Sequence, residues 1–461
     1  MNHKAILISG PVGKTLARLS LQMLIGSFSV VAYNLTDTYF VSRLGTKALA
    51  AISFTFPVVL MLGSLAIGLG IGAATVISQA IGAGESDRVG RLTTDSLLLS
   101  VTVALPVVII GLLTMEPLFS IMGAGPALLP DIQSYMSIWY MGAVLFVVPM
   151  VGNNAIRASG DTLLPSAIMA FGALANIVLD PILIFGLGWI PAMGIAGAAL
   201  ATVIGRGSTL FLSLYILHFR KRMLSTSRPK SREILQSWKN ILHVGAPAAG
   251  IHLLNPISMG IFTRLVARFG HAAVAAVGAG TRIEGFVVMA VVALASVLVP
   301  FIGQNWGAGR RDRAALGMRR SAQFSVAWGI ICMVGLALLS EPLARVFSDD
   351  ISVITQLKLF LWIVPLGYGL FGVSMLAGSA FNAIRKPGRS VALNLIRLLG
   401  LFLPLAFIGS EIFGFNGLLA GVAVANLAAG LFSWTWISSA MKSSQAEAQA
   451  QVSFSTPDII A

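Results

Sequence analysis

The chain has 461 residues, 56% of them hydrophobic and 10% charged, with a net charge of +14. Its mean hydropathy of +0.88 excludes a soluble globular domain. The basic excess, which in a soluble protein would point to nucleic acid, therefore needs another explanation.

From the start, Met1 to Ser20 carries no cleavage site after a short apolar core and runs directly into a segment of spanning length. It reads as retained sequence, not as a removed signal peptide. Gly13-Lys14-Thr15 looks like the end of a phosphate-binding loop, but the leading glycine would fall on Ile8, so that reading fails. Apolar stretches follow at 15–40, 48–80, 93–115, 131–152, 163–187 and 194–217, and again at 240–267, 273–304, 321–340, 356–380, 390–409 and 415–437. Each is about 20 residues or longer, the length that crosses a bilayer as a helix, which makes about twelve spans. The period-two alternation of a membrane barrel is absent. The 48 glycines suit helices that approach one another closely in lipid.

The single cysteine, Cys332, excludes an internal disulfide and a cysteine-based metal site. Between the sixth and seventh stretches lies HFRKRMLSTSRPKSREILQSWK, a basic linker over 218–239. With it on the cytoplasmic side, every second loop is basic: Arg88 and Arg91, Arg157, Arg310 to Arg320, and Arg385 to Arg389. This is the positive-inside bias, and it puts both termini in the cytoplasm. The expected organisation is a six-helix bundle over 1–217, the linker 218–239, a second six-helix bundle over 240–442, and a disordered cytoplasmic tail over 443–461.

Two sites stand out against this apolar background. Asp37 lies in the first span, where a charge costs about 2.5 to 3.5 kcal/mol on insertion scales, so it serves a function, reaches the interface or bonds to a neighbouring helix. Asn176 and Asp180 sit four residues apart in the fifth span, on one helix face, with Pro181 directly after.

The halves repeat each other. Gly45, Ala48, Ala50 and Ala51 pair without gaps with Gly270, Ala273, Ala275 and Ala276, and Gln79, Gly82, Ala83, Gly84, Asp87 and Arg88 pair with Gln304, Gly307, Ala308, Gly309, Asp312 and Arg313. Asn154-Ala-Ile-Arg157 recurs as Asn382-Ala-Ile-Arg385. An even number of spans per repeat gives both copies one orientation, so the fold expected is all-α and polytopic, two six-helix bundles related by a pseudo-two-fold axis along the membrane normal. That is transporter architecture. The Gly-Ala-Gly blocks themselves read as helix end, turn and new helix start. Asp37 pairs with Phe262, so the acid belongs to one copy only.

Together these motifs resemble the multidrug and toxic compound extrusion (MATE) family over the chain up to about Lys442. The resemblance implies secondary antiport: export of amphipathic, often cationic drug-like molecules in exchange for H+ or Na+, by a multi-pass monomer of the bacterial inner membrane, with no cofactor. By the same resemblance, Asp37, Asn176 and Asp180 line the cation or proton site, Thr202 joins them, with a hydroxyl bonded to its own helix carbonyl the alternative, and Na+ is the one metal ion they would hold. Tyr33 and Asn34 are the cavity residues implied, with an interface-belt tyrosine the alternative for Tyr33. Archaeal members bend the first helix at a proline that falls on Gln22 here, leaving Gly26 as the hinge. The branch with a second-half carboxylate has a glutamate where this chain has Asn255, which favours the branch named after DNA-damage-inducible protein F. A lipid-linked oligosaccharide flippase of the same superfamily is the alternative. It would want an arginine-dominated cavity.

Arg206, Arg282, Glu284 and Arg397 are the remaining charges at membrane depth, with Arg282 and Glu284 a candidate ion pair. No histidine pair, second cysteine or Ser/His arrangement supports an intramembrane enzyme, and His252 reads as a packed or hydrogen-bonded residue.

Overall fold

A computed structural model describes residues 5–227 and 230–455, with the side chains of 444–455 left aside. In a bilayer every backbone N–H and C=O must be satisfied within the segment, and these apolar runs accordingly fold as helices. In the first half α1 (Val12–Ser42), α2 (Thr46–Gly82) and α3 (Ser86–Leu113) are followed by the short α4 (Met115–Ile121). Next come α5 (Leu129–Met141), α6 (Ala143–Ala158), α7 (Leu163–Phe185) and α8 (Gly194–Tyr215), which passes into a π-helical turn at Ile216–Arg220. The second half has α9 (Ser231–Ala267), α10 (His271–Gly307), α11 (Arg311–Leu338), the short α12 (Ser340–Phe347), α13 (Ile351–Ile363) and α14 (Tyr368–Ala383). It ends with α15 (Pro387–Leu395), a π-helical stretch at Ile396–Phe402, and α16 (Leu403–Ser455).

Among the described residues nine helices are long and apolar enough to cross a membrane, and α5 with α6, bent by 45° at Gly142, makes a tenth. The expected twelve are reached by adding α9, whose apolar run is diluted by Asn240, His243, His252 and Asn255, and by dividing α16 where Phe413 and Gly414 leave helical geometry. Large apolar side chains such as Phe211 and Leu113 face outward, as lipid permits and water does not.

The chain forms two compact units, Leu21–Gly250, and Ala5–Ser20 with the chain from Ile251. The boundary at Gly250 lies inside α9, whereas the sequence places the division in the polar segment 218–239. Within the second unit the residues before α1 are strapped down. Leu7 N–H donates to Gln304 Oε1 (3.1 Å), and Asn305 Nδ2 (3.1 Å) and Arg313 donate to Leu7 O. Arg313 also donates to Ser9 O (2.6 Å) and Gly10 O (2.7 Å). The repeated Gly-Ala-Gly blocks are the expected turns: Gly84 (φ 75°) and Gly309 (φ 72°) take the left-handed conformation glycine tolerates. Asp87 and Asp312 then sit in the first turns of α3 and α11, where the helix dipole favours an acid.

The segment expected to be disordered from Ser443 continues α16 to Ser455; its alanine, glutamine and glutamate residues are good helix formers. Residues 456–461 of that tail, and Arg228 and Pro229 of the linker, lie outside the described residues.

Candidate functional site

The first unit brings α1, α5, α6, α7 and α8 around one cluster, and small residues set how closely they meet. A Cβ on Gly197 would come 2.3 Å from Leu183 O, one on Gly172 2.3 Å from Thr209 Cγ2, and one on Gly205 3.2 Å from Gly172 O. Only glycine permits that α7–α8 approach, and it lays Asn176 against Thr202. Pro181 has no N–H to give the Ile177 carbonyl, so the α7 ladder is broken beside Asp180. Gly142, whose Cβ would lie 2.3 Å from Val203 Cγ2, lets the α5–α6 bend pass close to α8.

Asp180 and Asn176 are buried, at 0% and 2% exposure. In the amide orientation that satisfies both its ends, Asn176 donates to Asp180 Oδ2 (2.8 Å) and accepts from the Thr202 backbone N–H (3.1 Å). The Thr202 hydroxyl shares a hydrogen bond with Tyr33 Oη (3.3 Å), so α1 is tied to α8. Asp37, one turn beyond Tyr33, is half-buried. One oxygen of each acid, Asp37 Oδ1 and Asp180 Oδ1, is buried without a hydrogen-bond partner. The two carboxyls lie within electrostatic range of each other, and Tyr135 of α5 lies within range of both. Among the described residues no lysine or arginine forms an ion pair with either. Two such groups cannot both stay charged cheaply.

Asn34 is exposed. Gln22, at the position of the archaeal proline, accepts a hydrogen bond from Thr162 Oγ1 (2.7 Å) and α1 runs on through it. Gly26 packs closely against α7: a Cβ there would be 3.0 Å from Ser166 Cα. Arg282 is exposed and makes no ion pair with Glu284, whose electrostatic neighbour is Arg397. Arg397 lies 5.1 Å from the Phe371 ring centroid. Among the described residues no group of three or more His, Cys, Asp or Glu could hold a metal ion.

Sequence reasoning missed the aromatic side of the site. Tyr135 and Trp139 share a face of α5, Phe146 of α6 lies 6.1 Å from Trp139, and Arg206 of α8 lies between Phe146 (5.0 Å) and Tyr33 (5.6 Å). The i, i+4 spacing of Tyr135 and Trp139, and of Thr202 and Arg206, was the available signal.

The family model described as MatE matches residues 23–182 and 247–408. The chain belongs to the MatE family. Its members are transporters, not enzymes, and they use ion gradients in place of cofactors. The chain is 41% identical to a protein named FAD transporter from Shewanella oneidensis, over 94% of this chain and 95% of that one. It is 25% identical to the multidrug export protein MepA of Staphylococcus aureus, over 90% and 91%. Among solved structures, the Vibrio cholerae MATE transporter VcmN in its bent form matches with a TM-score of 0.90 at 31% identity, covering 94% of this chain and 97% of that chain. The chain is thus an all-helical, multi-pass membrane transporter of small molecules.

Proposed function

We propose that this transporter is a secondary antiporter that exports amphipathic aromatic molecules in exchange for protons carried by Asp37 and Asp180. One observation carries the coupling: two carboxyls within electrostatic range of each other, each with a buried oxygen that no protein group satisfies. Protonation removes the cost of holding them charged. It also changes what Asn176, Thr202 and Tyr33 can bond, and so the hold of α8 on α1. The proton is favoured over Na+ because one lone pair of the Asn176 carbonyl, a natural ligand for a hard cation, is already engaged by the Thr202 N–H.

The identity to the FAD transporter, well above that to the multidrug exporters, favours flavin adenine dinucleotide as the substrate class. Export of drug-like cations is the second reading and rests on the MepA relatives. The arginine bias of alternate loops supports an inner-membrane orientation with both termini cytoplasmic, and one chain carries the whole cluster, as a monomer requires. Proteoliposomes given one gradient at a time test the reading. A pH gradient alone is expected to drive FAD transport more strongly than that of the cation ethidium, and a Na+ gradient alone to drive neither. Transport indifferent to the pH gradient would refute the antiport.

A further inference from the structure

We propose that Arg206 is the docking point for the phosphate groups of the transported molecule. An arginine at membrane depth is expensive and normally spends its donors on a carboxylate or carbonyl. Even Arg91, nearer the interface, does so, donating to Asp95 Oδ2 at 2.9 Å. Arg206 does not: among the described residues it has no ion-pair partner and none of its N–H groups donates to a protein acceptor. Nor are its nitrogens sealed off, unlike the buried and unpartnered Arg157 Nε.

What holds the Arg206 guanidinium is aromatic. The Tyr33 and Phe146 ring centroids lie 5.6 Å and 5.0 Å from its Cζ. Contacts of this kind fix the plane of the guanidinium and leave N–H groups free at its edge, the arrangement that grips a phosphate through two parallel hydrogen bonds. Trp139, buried behind Phe146, backs the ring on which a flat ring system would stack. A free positive charge here would repel the cations of the second reading and attract a pyrophosphate. Thr202 lies one turn away on α8, and Tyr33 touches both Thr202 and Arg206, so a docked phosphate sits beside the coupling cluster.

The inference rests on the dinucleotide reading of the substrate. It is tested by equilibrium binding of FAD and of riboflavin, which lacks phosphate, to the purified full chain in detergent. Arg206→Gln is expected to weaken FAD binding about ten- to a hundredfold, the loss of a charge-assisted hydrogen-bond pair, and to leave riboflavin within about twofold. Arg206→Lys should fall between, keeping the charge but not the fork, and inorganic pyrophosphate should displace FAD from the wild type. Unchanged FAD affinity in Arg206→Gln overturns the inference while leaving a dinucleotide exporter intact. Equal loss of both flavins overturns it in favour of a structural arginine. A wild type that binds neither flavin overturns the dinucleotide reading and the inference with it.

Discussion

The hydrogen bond between Tyr33 and Thr202 is the link by which α8 holds α1, and its strength can be measured. Thr202→Val keeps the shape of the side chain and removes the hydroxyl, leaving Tyr33 Oη without its partner 3.3 Å away. Tyr33→Phe removes the other half. Orphaning a buried hydroxyl costs about 1 to 3 kcal/mol, so each single variant should be destabilised, and the double variant by less than their sum. The coupling energy of hydrogen bonds between transmembrane helices averages about 0.6 kcal/mol and reaches about 1.7. At 3.3 Å this one is long for a bond between hydroxyls, which places it near the lower figure. Reversible denaturation of the four proteins in mixed detergent micelles closes the cycle. Additivity to within about 0.3 kcal/mol would show that the two hydroxyls do not interact and that α1 is held by packing alone.

Gly197→Val drives a side chain into the Leu183 carbonyl, and overpacking of this kind costs about 1 to 3 kcal/mol or more, so a lower melting temperature and impaired transport are expected together. An unchanged melting temperature would mean that α7 and α8 can part without harm. Outside the spans, Glu341 of α12 receives hydrogen bonds from Lys358 and from Arg345 (2.9 Å), which hold its carboxyl below the ordinary value of 4.5. Its stabilisation is therefore present above 4.5 and disappears as pH falls through its lower folded value. Glu341→Gln should melt below wild type at neutral pH and match it in strong acid; a gap that persists in acid would contradict this. Arg313→Ala removes the donor shared by Leu7, Ser9 and Gly10, so amide exchange over residues 7–10 should quicken by about ten- to a hundredfold, and unaltered exchange would show that the strap is held elsewhere.

The coupling residues were legible in the sequence because a carboxylate in an apolar run is conspicuous, and because i, i+4 spacing brings Asn176 to Asp180. The repeat was legible for a related reason: the positive φ of the Gly84 and Gly309 turns favours glycine in both copies. What stayed hidden depends on neighbours distant in the chain. Arg206 read as an unexplained charge until Tyr33 from α1 and Phe146 from α6 met it. The close contact of Gly26 with Ser166 was hidden too, because sequence does not show which helix presses against it. Asp95 drew no notice, yet it is fully buried and paired with Arg91, since a loop arginine and a spanning acid look separate when read in order. The division at Gly250 escaped because α9 is continuous there and tertiary packing, not composition, draws the boundary.

The coupling claim is tested most directly by FAD transport in proteoliposomes under an imposed pH gradient, wild type against Asp180→Asn, with flavin binding measured on the same preparations. Asparagine keeps the shape and can still accept from Asn176, but it carries no proton. The account predicts a folded variant that binds flavin and moves it no faster with the gradient than without. Gradient-driven transport at the wild-type rate would contradict it.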